Sequence, residues 1–90
     1  MPYIKKEYRA LFDHNIKILA KSLCDGTDFN PGELNYVIFR LMKEIVRIKG
    51  IKYSLLNDLI GALECCKLEF TRKIIATYED MKIKANGDVD

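Results

Sequence analysis

The side chains best suited to chemistry lie on the last of three helical segments, where Asn57, Glu64, Lys67, Arg72 and Tyr78 recur over about six turns. Asn35 and Tyr36 of the second segment join them as candidates. Lysine neutralises phosphate and arginine grips it with two parallel hydrogen bonds. Tyrosine stacks on a base, and asparagine and glutamate satisfy ribose or base edges. The set therefore suits a small anionic nucleotide: Lys67 and Arg72 on phosphate, Tyr78 on the base, Asn57 and Glu64 on polar edges, and Asn35 and Tyr36 closing the site.

Signatures of catalysis are missing. There is no Gly-x-Gly-x-x-Gly, no Walker-type loop, no His-Glu-x-x-His and no Gly-x-Ser-x-Gly. The lone histidine, His14, has Asp13 beside it, but neighbours on a helix point about 100° apart, so that carboxylate is poorly placed to orient the ring. Cys24, Cys65 and Cys66 make neither an even framework nor a Cys-x-x-Cys pair and read as reduced, small apolar residues. The expectation is a non-enzymatic binder with no cofactor and no metal.

These residues need helices to position them. The first segment, about 5–23, repeats Tyr8, Leu11, Phe12, Ile16, Leu19 and Leu23 at the three-and-four spacing of one apolar face. The second, about 31–49, opens with Asn30 as N-cap, Pro31 at the first helical position and Glu33 placed to reach back to the cap, and it ends at Gly50. It carries two apolar strips: Leu34, Val37, Ile38, Leu41, Ile45 and Ile48 on one side, and Tyr36, Phe39 and Val46 on another. The third, about 54–83, takes Ser54 as its cap and leaves a non-helical tail over 84–90.

On the third segment a helical wheel separates two stripes. Leu56, Leu59, Ile60, Leu63, Phe70, Ile74, Tyr78 and Met81 form the apolar one, with Lys67 inside it. Lys67 either covers apolar surface with its stem while its ammonium pairs with Glu64 or another carboxylate, or it binds an anion. The second stripe mixes Asn57, Gly61, Glu64, Leu68, Thr71, Ile75, Glu79 and Lys82, the pattern of an interface. Gly61 in a helix interior costs about 1 kcal/mol relative to alanine, so a close approach is expected there, either a helix crossing or a ligand.

The fold expected is all-α: a single domain over 1–90 of three antiparallel helices, the last one long. Ninety residues are marginal for one core. A helix of that length outruns a compact globule of this size, leaving Ile74, Ile75, Tyr78, Met81 and Ile83 partly in water. Self-association, as a homo-oligomer, is the expected remedy. Fifteen basic against thirteen acidic residues make no broad basic field, so nucleic acid is not an expected partner. No apolar run approaches a membrane span and the start, Met1-Pro2-Tyr3-Ile4-Lys5-Lys6, lacks the apolar stretch of a signal peptide, so a cytoplasmic location is expected.

Several stretches carry a resemblance: Met1-Pro2-Tyr3-Ile4-Lys5, Gly32-Glu33-Leu34-Asn35-Tyr36-Val37-Ile38, Asn57-Asp58-Leu59-Ile60-Gly61-Ala62-Leu63-Glu64, Lys67-Leu68-Glu69-Phe70, and Tyr78-Glu79-Asp80-Met81-Lys82-Ile83 followed by Asn86-Gly87-Asp88-Val89. With these the chain resembles a family of short proteins encoded by phages and their bacterial hosts and known only as a domain of unknown function. Phe39 stands where that family tends to have threonine, and Thr71 where it tends to have tyrosine, so no ligand contact is carried over at either position. The resemblance implies a helical fold and a setting in the bacterial host cell, and no activity. In size and in lacking catalytic residues the chain is also similar to phage anti-Thoeris and anti-CBASS sponges, an analogy of type only. The leading expectation is thus an anti-defence protein that sequesters a nucleotide immune signal. The alternative is a helical interaction module acting on a host or phage protein.

Overall fold

The computed structural model describes residues 1–26 and 28–90; Thr27, in the first connection, lies outside them. Every regular element among the described residues is helical. Helix α1 spans Lys6–Leu23, α2 Pro31–Lys49 and α3 Tyr53–Phe70; a π-helical turn, Thr71–Ile75, joins α3 to α4, Ala76–Asn86. Phe70 and Ala76 keep helical dihedrals on either side of that turn, so α3 and α4 form one long C-terminal helix. Two compact units result, one of residues 3–56 and one of residues 1–2 with 57–90.

Local chemistry explains the helix ends. Asn30 Oδ1 accepts the Gly32 N–H at 2.8 Å, satisfying one of the donors that the first turn of α2 leaves free. Pro31 loses nothing at a position whose N–H has no helical partner. Glu33 stands in that first turn, where its charge meets the positive end of the helix. Gly50 and Gly87 close α2 and α4 with φ of 84° and 87°, and each donates its N–H back four residues, to Val46 and Ile83, at 2.8 Å. Positive φ with ψ near 150° is a backbone region essentially reserved for glycine.

Two boundaries of the C-terminal helix differ from the sequence pattern. Its first hydrogen bond runs from Leu56 N–H to Lys52 C=O at 3.0 Å, so the chain has turned before Ser54, which lies inside the first turn and is not the cap. At the other end the helix reaches Asn86, because Gly87 supplies the stop and Lys84 suits the negative end of the dipole.

Within the unit of residues 3–56, the half-buried apolar residues cluster on α2: Val37, Ile38, Met42, Ile45 and Val46, with Leu23 and Leu55 beside them in class. The predicted stripe of α1 is present but remains exposed up to Leu19. In the other unit the helix over 57–86 is the only regular element. No described residue is buried anywhere in the chain. The apolar stripes expected to form a core are therefore exposed on α1 and along most of the C-terminal helix, and no more than half-buried on α2.

Candidate functional site

The helix that carries most of the candidate residues is interrupted where the sequence shows no proline or glycine. Ala76 donates its N–H to the Thr71 carbonyl, five residues back, and the turn holds one residue more than an α-turn. Thr71 opens the turn and Thr77 follows two residues after its end, their hydroxyls donating to the Lys67 and Lys73 carbonyls at 2.9 Å. Such bonds supply partners where the regular ladder is disturbed and favour a local bend.

The extra residue rotates everything beyond Ile75 back by about one position, roughly 100°. In an unbroken α-helix the line of Leu63, Lys67, Phe70 and Ile74 would continue to Met81. After the π turn it continues through Ile75 and Tyr78 to Lys82, with Glu79 at its edge, and Met81 turns away. The two stripes read from the sequence thus merge past the turn. Lys82 Nζ lies 5.5 Å from the Tyr78 ring centre, a cation over an aromatic face.

The structure brings Glu64 and Lys67 together: Lys67 Nζ is 2.9 Å from Glu64 Oε1, and both side chains are more than half exposed. Arg72 Nε donates to Glu69 Oε1 at 3.1 Å, and its Nη2 meets the same oxygen. Each candidate phosphate ligand therefore already faces a carboxylate on its own helix. Lys67 and Arg72 also project more than a quarter-turn apart, so one helix does not aim them at one point. Asn57 and Tyr78 are exposed on that helix. Asn35 and Tyr36, also exposed, belong to the unit of residues 3–56.

Each unit holds one shallow crevice of note. The first, of about 360 Å3, is lined by Leu19 and Leu23 of α1, by Asn30, and by Glu33, Tyr36 and Val37 of α2. Its volume is that of a small-ligand site, but Glu33 in its lining adds negative charge, which does not favour an anion. In the second, of about 260 Å3, Met1 and Pro2 lie against Cys65, Leu68, Glu69 and Arg72. All three cysteines, Cys24, Cys65 and Cys66, are free thiols and exposed. Gly61 has open space where a Cβ would stand, so none of the described residues makes the close approach expected there.

A polar network on α2 was not among the sequence candidates. Glu44 accepts from Arg47 Nε at 2.6 Å and from Arg40 Nη1 at 3.3 Å. Arg47 first, and Arg40 second, hold the Glu44 carboxyl below its ordinary range, while Glu44 and then the Tyr36 hydroxyl raise the Arg40 guanidinium. The three- and four-residue spacings that build it were the available signal. It binds Tyr36, a candidate ligand contact, into the surface charge pattern of its own helix.

Among the described residues, no helix is long and apolar enough to cross a membrane, and no three His, Cys, Asp or Glu side chains group to hold a metal ion. No curated protein and no solved structure matches the chain. The model of one family, described as Domain of unknown function (DUF6899), matches residues 1–89, and the chain belongs to that family.

Proposed function

We propose that this chain is a non-enzymatic helical interaction module whose apolar helix faces are covered by another polypeptide. One observation carries the reading: 49% of the residues are apolar, and none of the described ones is buried. A lone helix gains little from propensity alone, and most helical stability in proteins comes from packing an apolar face. Leu63, Phe70, Ile74, Ile75 and Tyr78 offer such a face on the C-terminal helix, and Leu11, Phe12 and Ile16 offer another on α1.

The test is co-purification under stringent washing, followed by circular dichroism of the chain with and without whatever protein it retains. A stoichiometric polypeptide that raises helix content and unfolding temperature is the expected result. A chain that unfolds cooperatively as an isolated monomer with its helices intact would remove the need for any cover and sink the reading.

Sequestration of an anionic nucleotide is the second reading, favoured by the exposure of the Lys67 and Arg72 side chains. On this reading a neighbouring subunit would supply further cations to complete the site. A saturable thermal shift with one nucleotide would select it, since ligand at about 100 times its dissociation constant adds roughly 2.7 kcal/mol.

A further inference from the structure

We propose that the partner of the helix over 57–86 is a second copy of this chain, packed antiparallel about a two-fold axis at the π turn. The inference rests on the reading of the chain as an interaction module and names that module's partner.

The face to be covered is set by the π turn. Leu63, Phe70, Ile74, Ile75 and Tyr78 share one side of the helix, and Phe70, Ile74 and Tyr78 are 58%, 55% and 56% exposed. Without the turn, the line would run on to Met81; with it, the apolar contact is centred on Phe70, Ile74 and Ile75, midway along the 57–86 span. An isologous contact requires the same patch on both copies, and a patch centred on the axis meets that requirement.

Charge selects both the occupant and its direction. Over 57–70, Asp58, Glu64 and Glu69 outnumber Lys67, an excess of two negative charges. Over 71–86, Arg72, Lys73, Lys82 and Lys84 outnumber Glu79 and Asp80, an excess of two positive charges. A helix with an acidic first half and a basic second half is complementary to itself when reversed, and repels itself when parallel. Antiparallel packing also opposes the two helix dipoles favourably. With the axis at the middle of the π turn, Glu64 faces Lys82 of the second copy and Lys67 faces its Glu79, each pair occurring twice.

Two variants test the pairing. The first combines Glu64→Lys with Lys67→Glu, which keeps the ion pair along its own helix with its ends exchanged; the second combines Glu79→Lys with Lys82→Glu. Each alone sets like charges together at four places in the dimer. Sedimentation at micromolar concentration, with circular dichroism on the same samples, should show the parent as a dimer or an even multiple of one. Each variant alone should dissociate about tenfold or more readily, and an equimolar mixture of the two should recover the parent's affinity, because only the mixed pair is complementary at every contact. Failure of the mixture to recover, or variants that associate like the parent, would overturn antiparallel pairing. A parent that sediments as a monomer with little helix would overturn the second copy as partner while leaving the module reading in place. A fully helical, cooperatively unfolding monomer would end both.

Discussion

Lys67 and Glu64 are joined at 2.9 Å across one turn of the same helix, so the ammonium best placed to meet an anion already holds a carboxylate. Any phosphate must displace or share that partner. If Lys67 were a nucleotide ligand, Glu64→Gln would free it and tighten binding. For an interaction module the expected outcome is different: no anionic nucleotide shifts the unfolding temperature of the parent, and none does so for Glu64→Gln. The variant itself should cost less than about 1 kcal/mol, the usual worth of an exposed ion pair. Differential scanning fluorimetry with a nucleotide panel on both proteins checks this.

Gly50 and Gly61 should respond in opposite directions to alanine. Gly50 has φ of 84°, with open space around a built Cβ, so the penalty at that position is backbone strain alone. Gly50→Ala should destabilise by about 1–3 kcal/mol. Gly61 lies inside α3, also with open space around a built Cβ, and points away from the Leu63–Phe70 line. Gly61→Ala should stabilise by about 1 kcal/mol through helix propensity and leave association unchanged. Urea unfolding at several protein concentrations separates the two effects; a loss of association in Gly61→Ala would mean that another backbone packs there.

The contrast between these glycines shows where the sequence is readable. Asn30-Pro31 and Gly50 mark the ends of α2 because capping acts through neighbouring backbone atoms, and the structure forms those bonds. Ser54 is misleading because the Lys52 carbonyl already accepts from Leu56 and starts the helix earlier. The C-terminal extension to Asn86 escapes periodicity because Lys84, Ala85 and Asn86 carry no apolar repeat, although Asn86-Gly87 is a stop signal. The π turn is invisible at the level of pattern: Thr71 and Thr77 are ordinary helix residues until their hydroxyls bond to carbonyls four residues back. Of the candidate site, the Glu64–Lys67 pair is legible from its spacing of three. Grouping Asn35 and Tyr36 with Lys67 and Arg72 rests on residue type alone, and no short-range spacing fixes such a set.

Glu44 gives the fold a pH dependence with a definite sign. Its carboxyl is held below the usual 4.5, chiefly by Arg47 and then by Arg40. A depressed folded-state pKa stabilises the native form at pH above the unfolded value, and that contribution is lost as pH falls through the folded value. Helix content in α2 should therefore decline on acidification below about 4.5. Carboxyl chemical shifts should place the Glu44 midpoint below its ordinary value, and Arg47→Gln should raise it more than Arg40→Gln does. Equal midpoints in the parent and both variants would show that the network does not persist in solution.

Ile75 and Met81 test the π turn itself. An unbroken α-helix would put Met81 in line with Leu63 and Phe70 and leave Ile75 to one side. With the π turn over Thr71–Ile75, Ile75 joins that line and Met81 leaves it. Placing a charge on the covered face forfeits the burial of one large apolar side chain, worth about 1.5–3 kcal/mol, and desolvates a carboxylate as well. Ile75→Asp should therefore weaken association by about tenfold or more, whereas Met81→Asp should leave it within about threefold of the parent. Sedimentation of the two variants beside the parent reads the difference directly. The reverse order, with Met81→Asp the more damaging, would mean that the helix runs through Thr71–Ile75 without the extra residue and that its contact face follows the simple periodicity of the sequence.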